Sequence, residues 1–272
     1  MNNTVVRALA GFVFCSMVIG AALLGQLTFG LLFLFFAGVG LYEMYELLKH
    51  KHSHAPRWFA GMSVGILLYL ALFLIATETI TSTWLWVFAP LIATIFCLEL
   101  IKLDFEAVTH LALTAFGWLY VIVPLGLVNF LGVINGSYEY EIPIGFFLIL
   151  WINDTGAYCA GKLLGRHKLY EKVSPNKTWE GLIGGIVFAF VLAYILSFYF
   201  IVLTLPQWMM VAFIISVFGN LGDLFESHLK RSFAVKDSGH LIPGHGGVLD
   251  RFDGLLLSLP VLICYFKIIQ LI

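Results

Sequence analysis

Long apolar runs, each near the length of a membrane-crossing helix, follow one another with short polar breaks along almost all of this 272-residue chain. A helix needs about 20 mostly apolar residues to cross the hydrocarbon core of a bilayer. On that measure the sequence divides into nine candidate spans, at roughly 8–25, 28–48, 58–76, 83–102, 109–133, 143–164, 181–203, 207–226 and 254–271. In hydrocarbon every backbone polar group must be satisfied within the protein, which makes helices the spanning form for runs of this length. A water-soluble core is excluded by composition: 61% of the residues are apolar and 11% charged, against about 45–50% and about 25% in soluble domains. The expected fold class is all-α, a polytopic integral membrane protein of about nine transmembrane helices. No internal repeat and no long linker is visible, so residues 1–272 read as a single membrane domain, with N-terminal spans over 1–140 and a polar-rich half over 143–272. The link at Gln26 is so short that the first two spans are alternatively a hairpin that does not fully cross. The run from Leu9 continues into further apolar sequence instead of ending at a small-residue cleavage site, so no signal peptide is expected.

Orientation follows from the basic residues of the short loops, which favour the cytoplasm. With the N-terminus inside, the cytoplasmic side collects Arg7, Lys49, Lys51, Arg57, Lys102, Lys162, Arg166, Lys168, Lys172, Lys177, Lys230, Arg231, Lys236 and Arg251, fourteen of the fifteen Lys and Arg residues. The opposite loops carry Glu78, Glu139 and Glu141 and no base. A multi-pass protein of the inner (plasma) membrane is expected, with its polar chemistry facing the cytoplasm. The four cysteines, Cys15, Cys97, Cys159 and Cys264, each lie in an apolar run without a Cys-x-x-Cys pair, and read as small packing residues.

A carboxylate at membrane depth is costly unless paired, hydrated or metal-bound. Glu43 and Glu46, beside the Lys49 loop, read as solvated helix-end groups, and Glu99 as an i,i+3 partner of Lys102. Three clusters resist so simple a reading. Asp154, in WINDTGAYCAGKLLG, sits within an apolar span; it either binds helices together among small residues or lines a water-filled cavity. SPNKTWEG, Ser174 to Gly181, offers hydroxyl, amide and ammonium donors from Ser174, Asn176, Lys177 and Thr178, which suit phosphate oxygens. Contact with anionic lipid is the alternative there, and Glu180 reads as a partner of the helix dipole.

The longest cluster is GNLGDLFESHLKRSFAVKDSGHLIPGHGGVLDRFDG, Gly219 to Gly254. Asp223, Glu226, Ser227 and Lys230 recur at helical spacing, so one face carries two carboxylates, a hydroxyl and an ammonium. Lys236, Asp237 and the glycines at 239, 244, 246 and 247 form a polar loop whose backbone N–H groups suit an anion. Asp250 and Asp253 then share a face at the start of the last span. Carboxylates Asp223, Glu226, Asp250 and Asp253 suit an oxygen-ligated hard cation such as Mg²⁺, which takes one or two carboxylates plus substrate phosphates. Zinc is the weaker fit, because His240 and His245 lack a third nitrogen or sulfur ligand nearby.

From Ser227 the stretch SHLKRSFAVKDSGHLIPGHGGVLDRFD resembles the signature of the phosphatidate cytidylyltransferase (CDP-diacylglycerol synthase) family through Asp253. It runs Ser-x-Leu-Lys-Arg, four residues, Lys-Asp, then Pro-x-His-Gly-Gly and Asp-Arg-Phe-Asp. The segments around Asp154 and Ser174–Gly181 are similar to the family's too, so the likeness covers roughly residues 143–272. The resemblance implies transfer of a cytidylyl group from CTP to phosphatidate, giving CDP-diacylglycerol and pyrophosphate. It also implies Mg²⁺, with room for a second cation such as K⁺. On that footing Asp223, Asp250, Asp253 and Glu226 are the expected metal ligands, and Lys230, Arg231, Lys236 and Arg251 neutralise phosphate charge beside catalytic Asp223 and Asp250. Substrate contacts are expected from Asp154, Ser174, Asn176, Lys177, Thr178, Ser227, Asp237, His245, Gly246 and Gly247. The partners implied are CTP, phosphatidate and membrane lipids, with pairing into a homodimer left open and no nucleic acid.

Two rivals fit less well. A CDP-alcohol phosphotransferase shares the Asp250-Arg251-Phe252-Asp253-Gly254 opening, but the Ala-Arg and later aspartates of that motif are missing. In a secondary transporter, Asp154 and Asp223 would be ion sites, yet the polar residues crowd toward one membrane face and no repeated halves are visible.

Overall fold

The computed structural model describes residues 3–49, 56–102, 106–134, 136–235, 238–239 and 246–272. They are overwhelmingly helical, and each expected span falls on helical structure. The helices are α1 (Asn3–Leu24), α2 (Gln26–Lys49), α3 (Trp58–Ala76), α4 (Phe88–Lys102), α5 (Ala107–Gly117), α6 (Val123–Leu127), α7 (Glu141–Leu164), α8 (Trp179–Tyr199), α9 (Leu205–Ile214), α10 (Asn220–Ser232) and α11 (Leu249–Ile268). A 3-10 turn, Ser82–Val87, leads into α4, and π-helical turns at Trp118–Ile122 and Ile215–Gly219 join α5 to α6 and α9 to α10 without a break. Among the described residues seven stretches are long and apolar enough to cross a membrane; Leu9–Leu24 is a shorter apolar helix. The chain is an all-α integral membrane protein.

Two compact units emerge, one formed by Met1–Gly136 with Asp237–Asp250, the other by Ser137–Lys236 with Arg251–Ile272. In the first, α2 is central and packs against α1, α3, α5 and α6. Its two faces differ: Phe36, Gly40, Glu43 and Leu47 are buried at helical spacing, whereas Phe35, Tyr42 and Lys49 are exposed. Glu99, expected to pair along its own helix, has a partner from another helix as well. It is buried, and its Oε2 accepts from Arg57 Nε at 2.8 Å and from the same guanidinium's Nη2. A rigid guanidinium reaching from the start of α3 presents two of its donors to one carboxylate.

In the second unit α7 and α8 pack along a seam of small residues. A Cβ on Gly184 would strike Ala160, and one on Gly181 would stand 2.8 Å from the Ala157 carbonyl. Absence of side chains at these points is what lets two backbones approach closely in an apolar medium, where packing and not the hydrophobic effect drives association. After α7 the chain turns through an antiparallel hairpin, Lys168–Tyr170 with Ser174–Thr178, in which Lys168 pairs with Thr178 and Tyr170 with Ser174. The strand Ser174–Thr178 touches α7, α8 and α10. Among the described residues the four cysteines are free; Cys15 is half-buried, whereas Cys97, Cys159 and Cys264 are exposed and not packed inside as expected.

Candidate active site

Gly222 determines how the second unit assembles its charged residues. A Cβ there would run into the main-chain carbonyl of Asp253, so α10 and α11 cross at contact distance only because residue 222 has no side chain. Gly219 and Gly254 extend the crossing, each packed against Leu150 Cδ1 of α7. The π-helical turn Ile215–Gly219 rotates α10 relative to a continuous α-helix, the sort of irregularity often found at functional sites. Asp223 and Glu226, one and four residues beyond Gly222, are thereby set beside the first turn of α11.

Each carboxylate of α10 has a lysine. Lys177, from the hairpin, places Nζ 2.6 Å from Asp223 Oδ2, and Ser227 Oγ donates to Asp223 Oδ1 at 3.3 Å. Lys230 donates from Nζ to Glu226 Oε2 at 2.7 Å, with both side chains withdrawn from the surface. Asp154 of α7 accepts from Asn153 Nδ2 at 3.4 Å and feels the charges of Asp223, Lys177 and Arg251. Asp253 accepts from the Gly254 N–H at 2.7 Å and feels Asp223, Glu226 and Asp154. The unit thus brings Asp154, Lys177, Asp223, Glu226, Ser227, Lys230, Arg251 and Asp253 into one cluster of interdigitated opposite charges. Residues from three separate sequence segments meet there, and every one of them is a candidate on sequence grounds alone.

The rest of the Ser174–Gly181 loop is more structural. Thr178 is buried and caps α8, its Oγ1 accepting from the Gly181 N–H at 3.1 Å. Glu180 pins the turn before the hairpin: Oε2 accepts from the N–H groups of Arg166 at 3.1 Å and His167 at 3.2 Å, and Oε1 lies 2.6 Å from His167 Nδ1. Ser174 is half-buried, while Asn176 and Arg231 are exposed. Lys236, Asp237 and His245, with His240, lie outside the described residues.

A different arrangement surrounds Asp250 in the first unit. Its Oδ2 accepts three hydrogen bonds, from Ser238 N–H and Oγ–H at 3.0 Å each and from Gly247 N–H at 2.8 Å. Gly246, at φ +81°, adopts the left-handed conformation that glycine tolerates, so Gly246 and Gly247 serve the turn into α11. Sequence reasoning misses Glu43. Instead of a solvated helix-end group it is a buried carboxylate that accepts the N–H groups of Val248 and Leu249, both at 3.0 Å. The available signal is its place on the stripe Phe36–Gly40–Glu43–Leu47, whereas Glu46 falls on the exposed face and lies 3.8 Å from Lys49. Among the described residues no group of three or more His, Cys, Asp or Glu side chains is closed around a metal-sized point.

Comparison with known proteins bears on this chemistry. The sequence model of the cytidylyltransferase family matches residues 5–269. A phosphatidate cytidylyltransferase of Staphylococcus haemolyticus (strain JCSC1435) is 51% identical over 118 residues, which cover 43% of this chain and 45% of that protein. One from Staphylococcus aureus (strain COL) is 52% identical over 118 residues with the same shares, and one from Staphylococcus epidermidis is 50% identical over 118 residues. The match spans about half the length of these curated relatives.

Proposed function

Since the chain belongs to the cytidylyltransferase family, we propose that it is a CTP:phosphatidate cytidylyltransferase. A phosphate oxygen of phosphatidate attacks the α-phosphorus of CTP. The bond from that phosphorus to the bridging oxygen breaks, and pyrophosphate leaves as CDP-diacylglycerol forms. The observation that carries the reading is the cluster of alternating charges around Asp223, in a chain half-matched by proteins named for this activity.

Both reactants are polyanions, and transfers at phosphorus are catalysed mainly by positioning and charge stabilisation. Lys177 and Lys230 are the cations best set for that work, each resting on a carboxylate at 2.6 and 2.7 Å. When a triphosphate arrives these lysines turn to its oxygens, and Arg251 adds a third positive charge. Ser227 and Asn176 supply neutral donors, and Arg231 adds a further positive charge. Asp250, by gathering Ser238 and Gly247, holds the turn from which α11 starts. The attacking phosphate is already an anion, so the chain needs no strong general base.

The donor set fits a divalent cation. Asp253 is within electrostatic reach of Asp154, Asp223 and Glu226, all of them oxygen donors, and Mg²⁺ commonly takes one or two carboxylates and completes its shell with water and substrate phosphates. Asp223 and Asp253 would hold it, with Glu226 and Asp154 close behind and room for a monovalent cation such as K⁺. Bound there, Mg²⁺ would supply Lewis-acid neutralisation of the triphosphate charge. A cytoplasmic, plasma-membrane setting is favoured by the crowding of fourteen of the fifteen basic residues into alternate loops.

The test is an assay of purified protein in detergent with CTP, phosphatidate and Mg²⁺. Pyrophosphate release that requires both substrates, with CDP-diacylglycerol recovered in equal amount, is expected. Release without phosphatidate, or none at all, refutes the reading.

A further inference from the structure

Glu43 lies one and a half turns before the end of α2 with 5% of its surface exposed. A carboxylate withdrawn so far into an apolar protein is costly unless its oxygens are satisfied. Both are: Oε1 accepts from Val248 N–H and Oε2 from Leu249 N–H, each at 3.0 Å and across more than two hundred residues of sequence. Those amides open α11, where N–H groups lack intrahelical partners and the helix dipole favours an anion. Most helices meet this need locally, with a Ser, Thr, Asp or Asn at the cap position. Here the residues at that point are Gly246, Gly247 and Val248, which have no side-chain oxygen. Gly239 and Gly247 press on the Glu43 carboxylate so closely that a Cβ on either would strike it. Ser238, whose hydroxyl donates to Asp250 Oδ2, stands beside the same carboxylate.

We infer that Glu43 is a positioning residue for the transfer reaction. By gripping the Val248 and Leu249 amides it fixes how α11 starts, and with it Asp250, from which the same helix runs on to Arg251 and Asp253. Glu43 touches no substrate in this role. The inference rests on the cytidylyltransferase reading, and its chemical basis is the one-to-one match of two carboxylate oxygens to two orphan N–H groups. A carboxamide cannot reproduce that match, because its NH₂ group would face an N–H donor. A shorter carboxylate can, with longer bonds.

The experiment compares wild type, Glu43→Gln, Glu43→Asp and, as control, Glu46→Gln on the exposed face of the same helix. Steady-state pyrophosphate release gives kcat and KM for CTP. Hydrogen exchange read by mass spectrometry follows the peptide covering residues 246–254 beside peptides from α7 and α8. Glu43→Gln should lower kcat on the order of 10²-fold, the loss typical of displacement of reacting groups by about 1 Å. KM for CTP should stay within about threefold, and the amides of 246–254 should exchange about tenfold faster while α7 and α8 keep wild-type protection. Glu43→Asp should recover part of the lost kcat, and it carries the test alone if Glu43→Gln does not fold. Glu46→Gln should match wild type in every measure.

A Glu43→Gln enzyme of wild-type kcat overturns the inference. So does a loss of kcat with 246–254 still protected, or one that comes with faster exchange throughout α7 and α8, which is general destabilisation. A wild type that releases no pyrophosphate removes the enzymatic reading and this role with it. With an active wild type, only the variants decide on Glu43.

Discussion

Substituting alanine for Gly222 perturbs the geometry of the charged cluster without removing a charge. The new Cβ would meet the Asp253 carbonyl oxygen, with the Asp253 carbonyl carbon at 3.2 Å and Gly254 Cα at 3.3 Å. All three obstacles are main chain, so no side-chain rotation relieves them, and α10 and α11 must part by about 1 Å to restore an ordinary contact distance. Overpacking of this kind costs about 1–3 kcal/mol. Alanine returns about 0.5–1 kcal/mol of helix propensity, leaving a net loss of at most about 2.5 kcal/mol. The chemistry should suffer more, because Asp223 and Glu226 sit on one side of the widened crossing and Asp253 on the other. A shift of about 1 Å in a positioned group costs on the order of 10²-fold in rate, or about 2.7 kcal/mol of barrier. The measurement pairs initial rates of pyrophosphate release in detergent with the thermal unfolding midpoint. Gly222→Ala should lower kcat between about 10- and 10²-fold while unfolding only a few degrees early. Gly20→Ala in α1, whose Cβ would meet nothing within 4 Å, should leave kcat unchanged. A Gly222→Ala enzyme with wild-type kcat would refute the claim that this crossing sets the carboxylates.

Asp223→Asn should reduce kcat by about 10²-fold or more, since it removes the carboxylate best placed for a cation, and raising Mg²⁺ should not rescue it; wild-type turnover would exclude Asp223 from the cation site. Lys230→Met alone should destabilise the protein by about 3–5 kcal/mol, because Glu226 then keeps a buried charge without its lysine. The double variant Glu226→Gln/Lys230→Met should recover most of that loss in thermal unfolding yet remain poorly active. Chelation with EDTA should stop pyrophosphate release reversibly and leave the unfolding midpoint near its original value, because the lysines already balance the carboxylates of the metal-free protein.

Much of this is legible from residue order. Apolar runs of about 20 residues admit one spanning structure, and each expected span lies on helix. The carboxylates and lysine of α10 can be assigned to one face because Asp223, Glu226 and Lys230 recur at helical spacing. Their partners are less directly visible. Lys177 stands out as a phosphate donor, but no local rule pairs it with Asp223, 46 residues on. Glu43 misleads because it stands near the end of its helix, where a solvated carboxylate is the default, whereas the fold gives it the amides that open α11. Arg57, 42 residues before Glu99, is likewise a partner that no local spacing supplies. An acidic residue on the buried stripe of an otherwise apolar helix signals a distant partner, but its identity depends on which helices pack together.

The alternation of charge has a consequence for the proposed reaction. Four carboxylates, Asp154, Asp223, Glu226 and Asp253, stand with three bases, Lys177, Lys230 and Arg251, so the cluster is close to neutral without substrate. A purely basic pocket would bind CTP and pyrophosphate alike, and binding that does not distinguish ground state from transition state contributes nothing to kcat. A purely acidic one would repel both substrates. With each lysine resting on a carboxylate, a phosphate must compete with that carboxylate for its cation, and the freed carboxylate is at once offered to a divalent ion. In the proposed reaction such an exchange would conserve the number of opposite-charge contacts, so nucleotide and cation would each bind better when the other is present. After transfer the carboxylates can reclaim their lysines, which helps expel a pyrophosphate that a fixed basic pocket would retain.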